Sequence, residues 1–444
     1  MAFRAACAAA GLLALPGLAV AQVSSATGSN FTASSMSESG FYPPDTMGAV
    51  GPNHVALLIN GRYELYNKNS TGSPISGKAM NLNTFWTTEV GVAGRNGNSF
   101  DPRIAYDPFA QRWYAVSVDG ARTNNSGYLF AVSKSANPMD GWNGFRWQAE
   151  PVSGGNWADF PMMGFDGEYV YISSNHFANT GGTSEYPVYA LPKADLLSAS
   201  PTIDNRQKIA LDASTNQTTV ALDNLSPAVQ AYHLWEDGSS SLPYDKLTKS
   251  GSTLARTTGT TSLSGSLNAP SNARQPDSTL TLLEVDDERF SSRLVRIGGS
   301  YWGVYPRKLG SDDVLRWFEI NASTGTMEQA GTISIAGQDT FYPAISVNAD
   351  GTVVIGFSAS GPSAGDYPSA YAVVGETVGG TTTFGTPFVL KKGTTSYQRL
   401  DTSNRNRWGD YSATDWDPAD PNIFWTWQEW ASGSTNSTAF FFFF

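Results

Sequence analysis

Short runs of alternating apolar and polar residues, each bounded by Gly, Asn, Asp or Pro, follow one another along nearly the whole chain. Alternation of this kind marks half-buried β-strands, and the bounding residues mark tight turns. One phrase keeps returning. It reads Phe100-Asp-Pro-Arg-Ile-Ala-Tyr-Asp107, then Ala158-Asp-Phe-Pro-Met-Met-Gly-Phe-Asp166, then Phe341-Tyr-Pro-Ala-Ile-Ser-Val-Asn348, with weaker copies opening at Asp45 and Asp410. Each copy predicts a strand and a turn into a second strand. After Asp107 come 112–119, Tyr128-Leu-Phe-Ala-Val132 and Phe145-Arg-Trp-Gln-Ala149, the second, third and fourth strands of one unit. The segments 168–173, 187–191 and 207–211 repeat that order, as do 352–357, 370–374 and 388–390.

The turns after the first strands fall near Gly51, Asp107, Asp166, Glu236, Gly298, Asn348 and Asp417, a step of roughly sixty residues. Four strands with generous loops need about that length. The pattern predicts an all-β chain folded as a seven-bladed β-propeller, with six blades as the alternative. A pair of face-to-face sheets is the structural rival, but the long step suits blades better. The fourth and fifth turns rest on the least alternation, because 198–276 is rich in Ser, Thr and Gly. No amphipathic helix of useful length is visible.

The two ends differ from the body. Arg4, the apolar stretch Ala5 to Val20 and the Ala19-Val-Ala21 site predict a signal peptide over 1–21. Residues 22–40 form an N-terminal segment expected to add a strand to the last blade. The propeller is expected over 41–431, followed by a polar linker and poly-Phe tail over 432–444. Without the leader no stretch is apolar enough to span a bilayer. The expectation is a secreted chain, extracellular or periplasmic, with no membrane association after cleavage, and monomeric.

Composition narrows the chemistry. The single cysteine, Cys7, lies in the predicted leader, so disulfides, thiolate metal sites and cysteine nucleophiles drop out. The net charge is −11, which gives no attraction to phosphate backbones, and nucleic acid is not an expected partner. His54, His176 and His233 are far apart in sequence with no metal-ligand spacing. No phosphate loop, dinucleotide fingerprint or G-x-S-x-G elbow is present.

Carboxylates and arginines remain. Asp45, Asp101, Asp159 and Asp410 open first strands, which line the channel of a propeller. There they would ring a ligand or a cation such as Ca²⁺, or else bond the backbone of the neighbouring blade. No other cofactor is called for. A glycosidase needs two such acids, and Asp101, Asp159, Glu284, Asp286, Asp287, Asp410 and Glu429 are all available. Arg103, Arg289, Arg293, Arg296 and Arg407 are the arginines that could converge on a carboxylate, although the middle three do not share one strand face. Asp107, Asp166 and Asp417 sit where Asx-turn chemistry accounts for them. Among many tryptophans, Trp408 is the one placed with the aspartates as a ligand-binding candidate, and core packing is its other reading.

The phrases at 43–54 (Pro-Pro-Asp-Thr-Met-Gly-Ala-Val-Gly-Pro-Asn-His), 101–107 and 408–413 (Trp-Gly-Asp-Tyr-Ser-Ala) resemble those of uncharacterised secreted bacterial β-propeller proteins, loosely similar to sialidase-type propellers. The resemblance implies an exported bacterial propeller and assigns no chemistry. Sialidases carry Ser-x-Asp-x-Gly-x-Thr-Trp boxes. The nearest match, Ser346-Val-Asn-Ala-Asp-Gly-Thr-Val353, has one extra residue and no tryptophan. The functional expectation is therefore non-enzymatic extracellular binding or scaffolding, of a glycan or an extracellular protein. The alternative is a sialidase-like or other glycoside hydrolase with its acid pair at the channel mouth, drawn from Asp101, Asp159 and Asp410 with Arg103. A structural part of a surface layer is a third reading.

Overall fold

The computed structural model describes residues 25–149, 155–179, 185–211, 219–223, 230–234, 241–263, 267–285, 289–433 and 438–443, without the side chains of 219–223 and 438–443. The predicted leader lies outside them. The chain is mostly β and is arranged as a β-propeller. Seven antiparallel meanders follow one another at 48–81, 99–148, 156–210, 219–262, 294–333, 339–391 and 413–443. Their first strands touch in sequence order, and the last, Ala413–Asp417, returns to the first, Gly48–Val50. That closed ring excludes the face-to-face rival.

Counted as continuous sheets of four or more strands, the ring has six members, the alternative number rather than seven. The difference has one cause. Thr219–Asp223 and Leu294–Ile297, the first strands of the fourth and fifth meanders, pair in parallel and fuse two meanders into one eight-stranded sheet. Glu236, where the fourth turn was expected, lies outside the described residues; the first two described strands of that meander are Thr219–Asp223 and Gln230–Leu234. The Ser/Thr-rich sequence there carries too little alternation to place strands. Ser34–Ser35 pairs with Thr438–Phe443, so the last sheet holds three C-terminal strands with the N-terminal strand on its edge. The residues set apart above as a tail thus run as a strand. Helices among the described residues are single turns of three to five residues.

Neighbouring meanders are locked by a repeated device. Asp107 accepts the backbone N–H groups of Phe109 and Ala110 at 2.9 and 3.0 Å, the Asx turn read from the sequence. Its other oxygen takes Lys193 Nζ of the next meander at 2.5 Å, and Lys193 also donates to the Asp166 carbonyl. Across the closing seam Lys68 donates to Asp417 at 2.5 Å in the same way. Both lysines directly follow a third strand, Pro187–Pro192 and Arg62–Asn67. At that seam Trp427 lies against Gly48, where a Cβ would come within 2.1 Å of the indole. Trp113 likewise covers Gly51, the first turn, where the clash would be 2.4 Å. Glycine is required at both places for close approach, not for backbone freedom.

Lys193 and Asp107 are both buried. Removing one partner leaves a buried charge, which costs about 3–5 kcal/mol. Lys193→Ala is therefore expected to lower the unfolding free energy obtained from urea titration by an amount in that range, seen as a lower midpoint. The double variant Lys193→Met/Asp107→Asn should recover most of it. A midpoint unchanged in Lys193→Ala would show that the lysine does not join the blades.

Candidate functional site

At the start of the first strands the ladder slips. Register shifts fall between Phe100 and Arg103, Asp159 and Met162, and Phe341 and Ala344. The bulge residues Asp101, Phe160 and Tyr342 have φ of 49°, 49° and 46°, and Asp45 has 52°. A left-handed residue other than glycine costs roughly 1–3 kcal/mol, so the same strain at four matching places needs support from its surroundings. Hydrogen bonds across the blades supply it. Asp45 Oδ1 accepts the N–H of Asp410 at 3.0 Å, and Asp101 Oδ2 accepts the N–H of Phe160 at 3.0 Å. Asn60 spans the pair: its Nδ2 donates to Asp45 Oδ2 at 2.7 Å, and its Oδ1 accepts from Asp101 N at 2.9 Å.

These bonds gather Asp45, Asp101, Asp159 and Asp410, from four meanders and their leading loops, at one mouth of the channel. Asp45 and Asp101 are buried, whereas Asp159 and Asp410 are partly open to solvent. The carboxyls of Asp45 and Asp159 both hydrogen-bond to that of Asp101. Burial, followed by the charge of Asp410, raises the pKa of Asp45 well above the ordinary carboxylate range. Burial and the Asp101 charge do the same for Asp159. Asp101 is raised as well, chiefly by burial and then by Asp410, but the bonds from Asp159, Phe160 N–H and Asp45 favour its charged form. The arrangement is three hydrogen-bonded carboxyls, with Asp101 in the middle as the acceptor from Asp45 and Asp159. Asp410 stands beside them, paired with Arg407 at 2.5 Å.

Arg407 reaches the mouth through a small parallel pairing of Leu283–Glu284 with Asn406–Arg407. Its Nε lies 2.8 Å from Glu284, which also takes Arg405 at 2.9 Å. Below the acids Arg103 lies flat on the Tyr411 ring, its guanidinium carbon 3.4 Å from the centroid. Arg289 approaches the same region, 5.5 Å from the Phe160 ring. Arg293 pairs with Asp415 deeper in the channel, and Arg296 sits over Tyr301. The arginines are thus spread along the channel and do not form one clamp.

Other candidates lie elsewhere. Trp408 is buried, donates to Ser358 Oγ at 3.2 Å and is edged by Tyr397 and Phe341, so no face of it is open to a ligand. Glu429 is buried, and Asp286 and Asp287 lie outside the described residues. His176 is buried between Tyr128 and Glu185, with ring nitrogens 2.7 and 3.1 Å from them. Among the described residues, no group of three or more His, Cys, Asp or Glu side chains is arranged to hold a metal ion. A Ca²⁺ ion at the mouth would have to displace the hydrogen bonds that join Asp45, Asp101 and Asp159. Sequence reasoning missed Asn60 and Tyr411. Asn60-Gly61 reads as a simple hairpin turn, and only its partner 41 residues away reveals its role. Tyr411 stands inside a phrase already quoted, and its neighbour Asp410 drew the reading instead.

The raised acids make stability depend on pH in an unusual direction. Asp159 binds a proton more tightly folded than unfolded, where its ordinary value is 3.8. Its contribution is complete below about pH 4 and is lost as pH rises through the folded value. Asp159→Asn keeps the shape and removes the titration. The urea midpoint of the wild type, measured against that variant, is expected to fall as pH rises above about 4. A pH-independent difference would rule out the raised value.

No known family model matches the chain, and no characterised protein matches it significantly in sequence. Solved structures with a similar fold include a hypothetical selenium-binding protein from Sulfolobus tokodaii, with 8% identity, a TM-score of 0.46 and 77% of each chain covered. An α-L-arabinanase of Penicillium chrysogenum matches with 12% identity and a TM-score of 0.41, over 79% of this chain and 99% of that one. A neuraminidase-like protein of a bat influenza strain matches with 8% identity and a TM-score of 0.32, over 66% and 94%.

Proposed function

We propose that this chain is a secreted glycoside hydrolase whose acid pair is Asp159 and Asp410. The observation that carries the reading is the contrast between two carboxyls at one partly open mouth. One has its pKa raised by burial and a neighbouring carboxylate, and the other is ion-paired with Arg407. Divergent environments for two acids are what general acid and base roles require. Asp159 donates its proton to the glycosidic oxygen as the bond to the anomeric carbon breaks. Asp410 takes a proton from the water that attacks that carbon. Exchange with solvent restores both groups. Asp101 holds Asp159 in place through the hydrogen bond between their carboxyls.

Binding without turnover is the second reading. It is favoured by the hydrogen bonds of Asp45 and Asp101, which join blade to blade and leave those oxygens to the scaffold. Either reading takes a glycan as partner and places the chain outside the cytoplasm, as its leader-like start suggests.

The test is a panel of 4-nitrophenyl glycosides and sialosides with polysaccharides, read by chromophore or reducing-end release, beside a glycan array. Turnover is expected to decline as pH rises through the raised pKa of Asp159. Asp159→Asn and Asp410→Asn are each expected to lower kcat by about 10²–10⁴-fold. Glycan binding with no turnover of any substrate would replace hydrolysis with the second reading, and neither binding nor turnover would overturn both.

A further inference from the structure

Exposed aromatic rings stand beside both acids of the mouth. The first group is built on the hairpin of Asn156–Phe165 and Tyr169–Ala178. In its ladder Trp157 is opposite Phe177, and Asp159 is opposite Asn175. Alternate residues share one face of a strand, so these four side chains rise from the same face. The two rungs are two residues apart, about 7 Å, comparable to the length of one sugar unit. Trp157 and Phe177 meet with ring centroids 5.4 Å apart. Neither belongs to the buried core: Phe177 is 37% exposed and Trp157 is half-buried. The pair therefore offers ring surface to solvent one rung beyond Asp159.

Tyr42 stands beside Asp410 instead. It lies three residues ahead of Asp45, whose carboxylate accepts the Asp410 N–H. Its hydroxyl donates to the Leu400 carbonyl at 3.4 Å, and the N–H of Arg407 donates to the Arg399 carbonyl at 2.8 Å. The segment that carries Arg407 to Asp410 thus also seats Tyr42, which is left 44% exposed. A pyranose lays its apolar C–H face on a flat ring and keeps its hydroxyls at the edge, where they reach polar groups or water. Arg405 and Arg407 already hold Asp401, Glu284 and Asp410. A sugar carboxylate would have to break those pairs, whereas a neutral sugar needs only ring faces and hydrogen bonds.

We propose that the mouth takes the interior of a neutral glycan chain, with one sugar stacked on the Trp157–Phe177 pair beyond Asp159 and another on Tyr42 beyond Asp410. Platforms on both sides hold a chain that continues past the acids in both directions. Water then adds across an internal glycosidic bond, its hydroxyl going to the anomeric carbon and a proton to the glycosidic oxygen, and two shorter chains leave. The internal cut rests on the hydrolytic reading; the two platforms do not.

The test uses the whole purified protein with soluble glucan, xylan and galactan and with cello-, xylo- and galacto-oligosaccharides from dimer to hexamer. The viscosity of the polysaccharide is expected to fall before reducing ends accumulate, with oligosaccharides as first products. Calorimetry on Asp159→Asn is expected to show binding that tightens with chain length. Trp157→Ala is expected to weaken that binding, and to raise KM, by about 10-fold, with a much smaller change in kcat. Trp157→Phe keeps a flat ring and is expected to restore most of the loss. Tyr42→Ala, at an exposed position on another segment, is expected to act in the same direction, so the result does not hang on one variant folding. Length-dependent binding that needs Trp157 and Tyr42, without turnover, would support the platforms and sink hydrolysis. Monosaccharides released from chain ends, or binding indifferent to length and to both rings, would overturn the proposal and leave hydrolysis standing. No binding of any of these sugars would overturn it outright.

Discussion

Ring closure is the constraint on which the rest of this molecule depends. Each sheet buries its faces only against its two neighbours, and no disulfide is available to hold a gap shut. The chain meets the requirement at its seams. Lys193 joins the second meander to the third, and Lys68 joins the last to the first. Trp427 on Gly48 and Trp113 on Gly51 show how close the packing is: large indoles fill space that any side chain on the facing strand would need. The N-terminal strand then covers the edge of the last sheet. Closure thus draws on residues nearly four hundred positions apart in sequence.

The mouth follows from that closure. Bulges at matching places in the first strands put left-handed residues where blades meet, and the aspartates there bond the backbone of the next blade. Asp45 and Asp101 fasten blades, and burial together with the charge of Asp101 raises the pKa of Asp159. The two sequence readings of the strand-start aspartates, blade fasteners or ligand ring, therefore meet in one cluster. Asp410 is paired with Arg407, which lies in the short Leu283–Glu284 and Asn406–Arg407 pairing.

Much of the fold was legible in the residues because its signals are local. Alternation gives strands, Asx turns at Asp107, Asp166 and Asp417 give the corners, and the returning phrase gives the repeat. Legibility failed at 198–276, where Ser- and Thr-rich strands lack alternation. There the fused sheet was unseen. At the site the aspartates and Arg407 were nameable from position alone. Asn60, Tyr411 and the burial of Trp408 were not, since each depends on a partner supplied by another blade.

By itself the sequence determined an all-β chain of repeated meanders without thiol chemistry, with acids at the starts of the inner strands. Period, turn type and composition act over a few residues, so they survive without knowledge of the fold. The tertiary structure alone decided that two meanders share one sheet, which aspartates meet, and which of them have raised pKa values. Those outcomes depend on desolvation and on charges brought together across hundreds of residues, and no local pattern encodes either.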